Sequence, residues 1–283
     1  MCAYRQDGGA TGTITQNDVL IGGTANALAS VAPGNLPSFL IQNSSGVPVW
    51  SNTSGGPDII FYQDDLVYGY ENAGTLVGVF GLQPGNNGTA ASSLIVNSIA
   101  THPGIWQLTT GTTTTGIATL GNANNYLNCF LPGGGYSEFN YLVQLPVLSN
   151  GTDTYTFWVG LSENGGVYAS YPGNNACWFK YLSSSSLNWS AETIASGTPT
   201  VASGGSSVAV TTGWNHLRIT INAAGTSVSF YVNGTLIGTS ASNIPTSQSV
   251  GIQFALIKSA GTTSVVGNID YISFYQQLTT SRF

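Results

Sequence analysis

Carboxylates are the first place to look for chemistry in this chain. Hydrolysis of a glycosidic bond needs two of them on one strand face, spaced so that acid and nucleophile flank the bond. From Asp58 onward the acids are Asp58, Asp64, Asp65, Glu71, Glu138, Asp153, Glu163, Glu192 and Asp270, and none has a second carboxylate two or four residues away within a predicted strand. Adjacent Asp64 and Asp65 would point to opposite faces of an extended segment. Glu138, Glu163 and Glu192 could pair only by converging from different strands, and each reads as a solvated loop carboxylate. His102 precedes a proline, His216 falls on the polar face of a predicted strand, and neither neighbours an evident Ser or Cys nucleophile. Two histidines are too few for a multi-histidine zinc site. Cys2, Cys129 and Cys177 form no Cys-x-x-Cys pair and read as free or buried thiols. Asp64, Asp65 or Asp153 could serve calcium from loops, but no EF-hand or repeat-type calcium motif is present. The expectation is a protein with no catalytic residue, no cofactor and no metal.

The aromatic residues point to binding instead. In the predicted strand 154–161, alternation puts Tyr155, Phe157, Val159 and Leu161 on the core side and Trp158 on the other. In 177–182 the same parity puts Cys177, Phe179 and Tyr181 inside and leaves Trp178 and Lys180 outside. Exposed rings beside amide side chains suit a sugar, whose C–H face meets the ring while its hydroxyls meet Asn, Gln and hydroxyl groups. Trp189, Tyr168, Asn174 and Asn175 lie in or near the Gly/Asn-rich connections and would complete such a platform, unless these aromatics serve the core or a subunit interface instead. Trp106 and Trp214, at strand starts, are expected as core anchors.

Those residues must be held by strands. Only 6% of the 283 residues are charged, against about a quarter in an ordinary domain, while 42% are hydrophobic and 11% aromatic. Gly, Ser, Thr and Asn fill the space between short apolar runs, a mixture that favours β-structure over helix. Strands are expected at 104–108, 141–145, 154–161, 177–182, 216–221, 227–232, 252–257 and 269–274. Leu217, Ile219 and Ile221 alternate with polar residues, as do Val228, Phe230 and Val232, and Asn233-Gly234 supplies a tight turn. The fold class expected is all-β: a two-sheet antiparallel β-sandwich over 56–283, preceded by a short extended segment, 1–55, for anchoring or oligomerisation. The strand runs of that segment are too short to build a core alone, so self-association or docking is the natural remedy.

Charge and hydropathy exclude other classes. The net charge is −6, and Arg5, Lys180, Arg218, Lys258 and Arg282 are scattered, which gives no stripe for nucleic acid. No apolar run reaches the length that spans a bilayer, and the first residues lack the apolar region of a signal peptide, so synthesis in a cytoplasm without export is expected and membrane insertion is not. Asn-x-Ser/Thr triplets from Asn43 to Asn233 follow from the abundance of those residue types.

The run Gly213-Trp214-Asn215-His216-Leu217-Arg218-Ile219, followed by Val228-Ser229-Phe230-Tyr231-Val232-Asn233-Gly234, resembles the central hairpin of laminin-G and concanavalin A-like lectin/glucanase domains. His102-Pro103-Gly104-Ile105-Trp106 and Ile269-Asp270-Tyr271-Ile272 resemble segments of such domains in phage structural proteins, so the likeness covers 58–283. The stretches Gly12-Thr13-Ile14-Thr15-Gln16-Asn17-Asp18-Val19-Leu20-Ile21-Gly22 and Ala32-Pro33-Gly34 through Trp50 are similar to short units of phage tail fibres, which commonly trimerise. These resemblances imply a virion-surface tail or head fibre protein, probing a host-surface polysaccharide and assembled as a homotrimer that meets capsid or tail proteins through 1–55. A capsid decoration protein, a polysaccharide-degrading enzyme of the glucanase fold and an extracellular non-viral adhesin are the alternatives.

Overall fold

In the computed structural model the chain divides into two compact units, residues 1–58 with 280–283, and residues 59–279. The structure describes residues 19–22, 28–31, 40–42, 48–50, 59–66, 77–94, 101–122, 129–163, 173–182 and 187–280. Tyr168, Cys2 and most of the fibre-like units lie outside the described residues. In the first unit β1 (Val19–Gly22) pairs antiparallel with β2 (Leu28–Val31), and β3 (Leu40–Gln42) pairs with β4 (Pro48–Trp50).

The second unit is two antiparallel sheets. Its strands are β5 (Ile59–Asp64), β6 (Leu82–Asn87), β7 (Ala91–Leu94), β8 (Trp106–Thr109), β9 (Ile117–Asn122), β10 (Gly135–Gln144), β11 (Thr154–Ser162) and β12 (Ala176–Leu182). They continue with β13 (Ser190–Ala195), β14 (Thr198–Val201), β15 (Ser203–Gly204), β16 (Trp214–Ile221), β17 (Val228–Val232), β18 (Thr235–Ser240), β19 (Gly251–Ala260) and β20 (Val266–Leu278). One sheet has seven strands in the order β14-β13-β12-β11-β19-β9-β6. The other has nine, β15-β18-β17-β16-β10-β20-β8-β7, with β5 also paired to β20. The all-β sandwich expected from composition and periodicity is what forms.

Local chemistry accounts for the joints. Asn233 at φ 49° and Gly234 at φ 82° take the two left-handed positions of the β17–β18 turn, where most side chains would be strained. The Asn233 side chain adds a lock, its Oδ1 accepting from the His216 backbone N–H at 2.8 Å. Both edges of the seven-stranded sheet carry a proline, Pro84 in β6 and Pro199 in β14, which removes a donor and discourages further pairing.

The core between the sheets is rich in aromatics. Phe179 of one sheet meets Phe230 of the other edge to face, centroids 5.3 Å apart, and Tyr141 meets Phe254 the same way at 5.6 Å. Such pairs add about 0.5–1.5 kcal/mol each beyond the area they bury. The residues assigned inward by parity, Tyr155, Phe157, Val159, Leu161, Cys177, Phe179, Tyr181, Leu217, Ile219, Ile221, Val228, Phe230 and Val232, all join this core. Burial holds the Cys177 thiol protonated, its pKa raised to about 12. Trp106 is a core anchor as expected, 5% exposed. Trp214 is not: it is half-buried, beside core-facing Asn215, on the outer side of β16.

Candidate functional site

Each sheet has a face turned away from the core, and the two differ. On the seven-stranded sheet that face holds the tryptophans picked out by sequence. Parity placed Trp158 and Trp178 correctly, off the main core, but they are 7% and 0% exposed. The expected exposed platform is therefore corrected. Trp158 sits between Lys180 and Ala255, and Trp178 between Gly160 and Glu192, so one small neighbour leaves room for each indole. The two rings pack at 5.0 Å in a satellite cluster with Ala176, Ile194 and Ala255. Lys180 closes it from one side, its Nζ 4.7 Å over the Trp158 ring and 3.6 Å from Glu192 Oε2.

The remaining platform residues are also engaged in structure. Trp189 belongs to the core, 4% exposed, with its Nε1 donating to Asn215 Oδ1 at 3.3 Å. Asn175 is 6% exposed, donates to Glu163 Oε2 and accepts from the Ser196 backbone N–H at 3.1 Å. Asn174 is exposed, its backbone N–H donating to Glu163 Oε1 at 2.8 Å. None of these described aromatic rings offers a free face to a ligand.

The open surface is the outer face of the nine-stranded sheet. Strands β10, β16 and β17 alternate strictly, so the outward residues of each are half-buried and His216 is exposed. Register lines up Ser273, Asn140, Arg218 and Tyr231 across four strands. Asn140 is the hub: its Nδ2 donates to Glu138 Oε1 at 3.0 Å and to Ser273 Oγ at 3.2 Å, while its Oδ1 lies 3.0 Å from His216 Nε2. The amide oxygen can only accept, which makes Nε2 the protonated nitrogen and leaves Nδ1 as a lone-pair acceptor. Glu138 Oε2 accepts from Tyr136 O–H at 3.1 Å. Desolvation first, then Glu138, push the Tyr136 phenol up to about 12. Desolvation and the nearby Arg218 charge push His216 below its usual value, outweighing Glu138, so it is neutral near pH 7.

The Arg218 guanidinium lies 4.2 Å over the Tyr231 ring and, among the described residues, pairs with no carboxylate. Stacking immobilises the group, and a guanidinium stacked by its face keeps the N–H donors along its edge for oxygen acceptors. Tyr275 lies 6.2 Å from Tyr136 and extends the aromatic strip. Sequence reading missed this patch because the glycines at 133–135 delayed the expected start of β10 to 141. The alternation Tyr136, Glu138, Asn140 against Ser137, Phe139, Tyr141 was the available signal.

Carboxylate positions bear on catalysis. Glu138 and Glu192 are strand residues, not loop residues, and they sit on opposite outer faces with the core between them. They cannot flank one bond. Glu163 accepts from the Asn174 backbone N–H and the Asn175 side chain, and Asp64 accepts from the backbone N–H groups of Leu66 and Val79. Among the described residues no three His, Cys, Asp or Glu side chains converge as a metal site.

Residues 131–282, just over half of the chain, match the family described as Laminin_G_3, the concanavalin A-like lectin/glucanases superfamily. Peanut lectin, solved with a 9mer peptide, superposes with a TM-score of 0.52 at 10% identity, covering 79% of this chain and 99% of that one. The carbohydrate recognition domain of Emp47p superposes with a TM-score of 0.51 at 12% identity, covering 81% of this chain and all of that one (100%). At such identities the likeness is one of fold. No curated protein matches the chain in sequence.

Proposed function

The chain belongs to the concanavalin A-like lectin/glucanases superfamily, and from that premise we propose that it is a non-catalytic glycan-binding protein whose contact surface is the outer face of the nine-stranded sheet. What supports it is the Asn140 hub with Arg218 fixed over Tyr231: directed donors and acceptors beside flat rings, half-buried around an exposed His216. A sugar ring lies against Tyr231 or Tyr275, its hydroxyls donating to His216 Nδ1 and accepting from Arg218. Separation of Glu138 from Glu192 supports binding without hydrolysis.

The protein acts at a virion surface, as a tail or head fibre, where residues 1–55 hold copies together as a trimer against capsid or tail proteins. The fibre-like units and the near absence of charge support this placement. Several modest sites on one oligomer then set attachment by avidity. Immobilised host-surface polysaccharide should retain the full chain, and Arg218→Ala with Tyr231→Ala should lower affinity about tenfold or more. Equal retention of the double variant removes this site. Sedimentation of the full chain as a monomer removes the trimer.

A further inference from the structure

A second cluster lies at one end of the same sheet. His102 is held between two partners: its Nδ1 is 2.7 Å from Asp270 Oδ2, and its ring stacks on Trp214 with centroids 4.3 Å apart and planes 24° apart. Asp270 is delivered by a bulge. Ile269 pairs opposite Val143 and Tyr271 opposite Leu142, which leaves Asp270 as the extra residue of β20. It is 4% exposed, and its Oδ1 is buried with no hydrogen-bond partner among the described residues. A carboxylate oxygen buried without a donor is costly, and such groups persist at functional sites or where an ordered water completes them.

Amide side chains run beside this dyad. Gln107 Nε2 donates to Asn268 Oδ1 at 3.0 Å, Asn268 Nδ2 donates to Gln144 Oε1 at 3.0 Å, and Gln144 stands opposite Trp214 in the strand register. The row is pre-oriented, as each amide fixes the next. Trp214 differs from Trp106, Trp158, Trp178 and Trp189, which are all buried, in being half-buried. The imidazole backs one side of its ring. With Nδ1 engaged by Asp270, Nε2 is the ring nitrogen left for a further partner.

We infer that Trp214, His102, Asp270 and the amide row form a second polyhydroxyl-binding subsite, so that this face takes an internal stretch of a linear polysaccharide and not a chain end. The inference rests on the glycan reading above. Trp214 and Arg218 are four residues apart on β16, on the same side, about 13 Å at the rise of a strand. That span accommodates several sugar rings in line, with Tyr231 and Arg218 at one end and Trp214 at the other.

The test uses the full chain with maltodextrin, cello-oligosaccharide and chito-oligosaccharide ladders, from disaccharide to heptasaccharide, read by tryptophan emission and by calorimetry. Affinity for at least one series should climb with chain length by about tenfold, with a shift in emission. Trp214→Leu should lose that climb and the emission shift, and Trp214→Phe, which keeps a flat ring, should recover the climb. Arg218→Ala should lower affinity at every length. A Trp214→Leu ladder identical to wild type overturns the second subsite and leaves the glycan reading standing. A wild-type chain that binds no ladder and no immobilised host polysaccharide overturns both. Thermal midpoints of the variants separate lost binding from lost folding.

Discussion

The outer face of the seven-stranded sheet and that of the nine-stranded sheet are built from the same kinds of residue and end in opposite states. Trp and Glu on the first are packed away under a half-buried Lys180, whereas Tyr, Arg and Glu on the second are all half-buried and His216 is exposed. Strands β11, β12, β13 and β19 are buried for most of their length on both sides, while β10, β16 and β17 alternate. The difference teaches that an aromatic on the non-core side of a strand is a ligand platform only if its neighbours leave it uncovered. Beside Trp178 the small residues Gly160 and Ala176 let the indole lie close to the sheet. Beside Tyr231 stands Arg218, long and charged, half-buried with its guanidinium over the ring.

Trp178→Ala is the strongest way to break this contrast. A side chain 0% exposed should cost about 3–5 kcal/mol when cut back to a methyl group, seen as a large drop in the denaturant midpoint. A loss below about 1 kcal/mol would mean the face is loosely covered, and the two sheets would then be more alike than described. Lys180→Met comes next. It leaves Glu192, with its side chain 11% exposed, without its cation and should cost about 1–2 kcal/mol, less than a fully buried pair because the Lys180 side chain is 23% exposed.

The dyad at the end of the nine-stranded sheet gives a smaller, pH-dependent effect. Burial raises the Asp270 carboxyl above its usual value, outweighing the help of His102. The folded state then holds a proton that the unfolded chain releases, so this group's contribution to stability falls as pH rises from the usual carboxylate value through the raised one. Asp270→Asn should flatten that part of the stability profile, measured by chemical unfolding at pH steps; an unchanged slope would dissociate Asp270 from it. The smallest effect belongs to the open face. Arg218→Ala should change stability by no more than about 1 kcal/mol while weakening glycan retention, because a half-buried cation stacked on one ring contributes little to folding.

How much was legible follows from these residues. Alternation in 216–221 and 227–232 names its own core face, and Asn233-Gly234 names its own turn, because both depend on contacts a few residues apart. The same rule set the sides of Trp158 and Trp178 correctly and their exposure wrongly. Trp189 and Asn175 failed for a related reason: a loop polar or aromatic residue is claimed by whichever buried partner lies near, here Asn215 and Glu163. The Asn140 hub joins β10, β16 and β20, residues 133 positions apart in the case of Ser273, and no local pattern announces it.

Composition and periodicity by themselves determined an all-β sandwich, the inward set of its central strands, the β17–β18 turn and the lack of a paired-carboxylate motif. These depend on side-chain type and a two-residue repeat, which the chain carries in any environment. Only the tertiary structure decided which outer face stays open, that Glu138 and Glu192 lie on opposite sides of the core, and that His102 meets Asp270 and Trp214. Burial and long-range hydrogen bonding depend on what the rest of the chain places alongside a strand, and that information exists only once the sheets have packed.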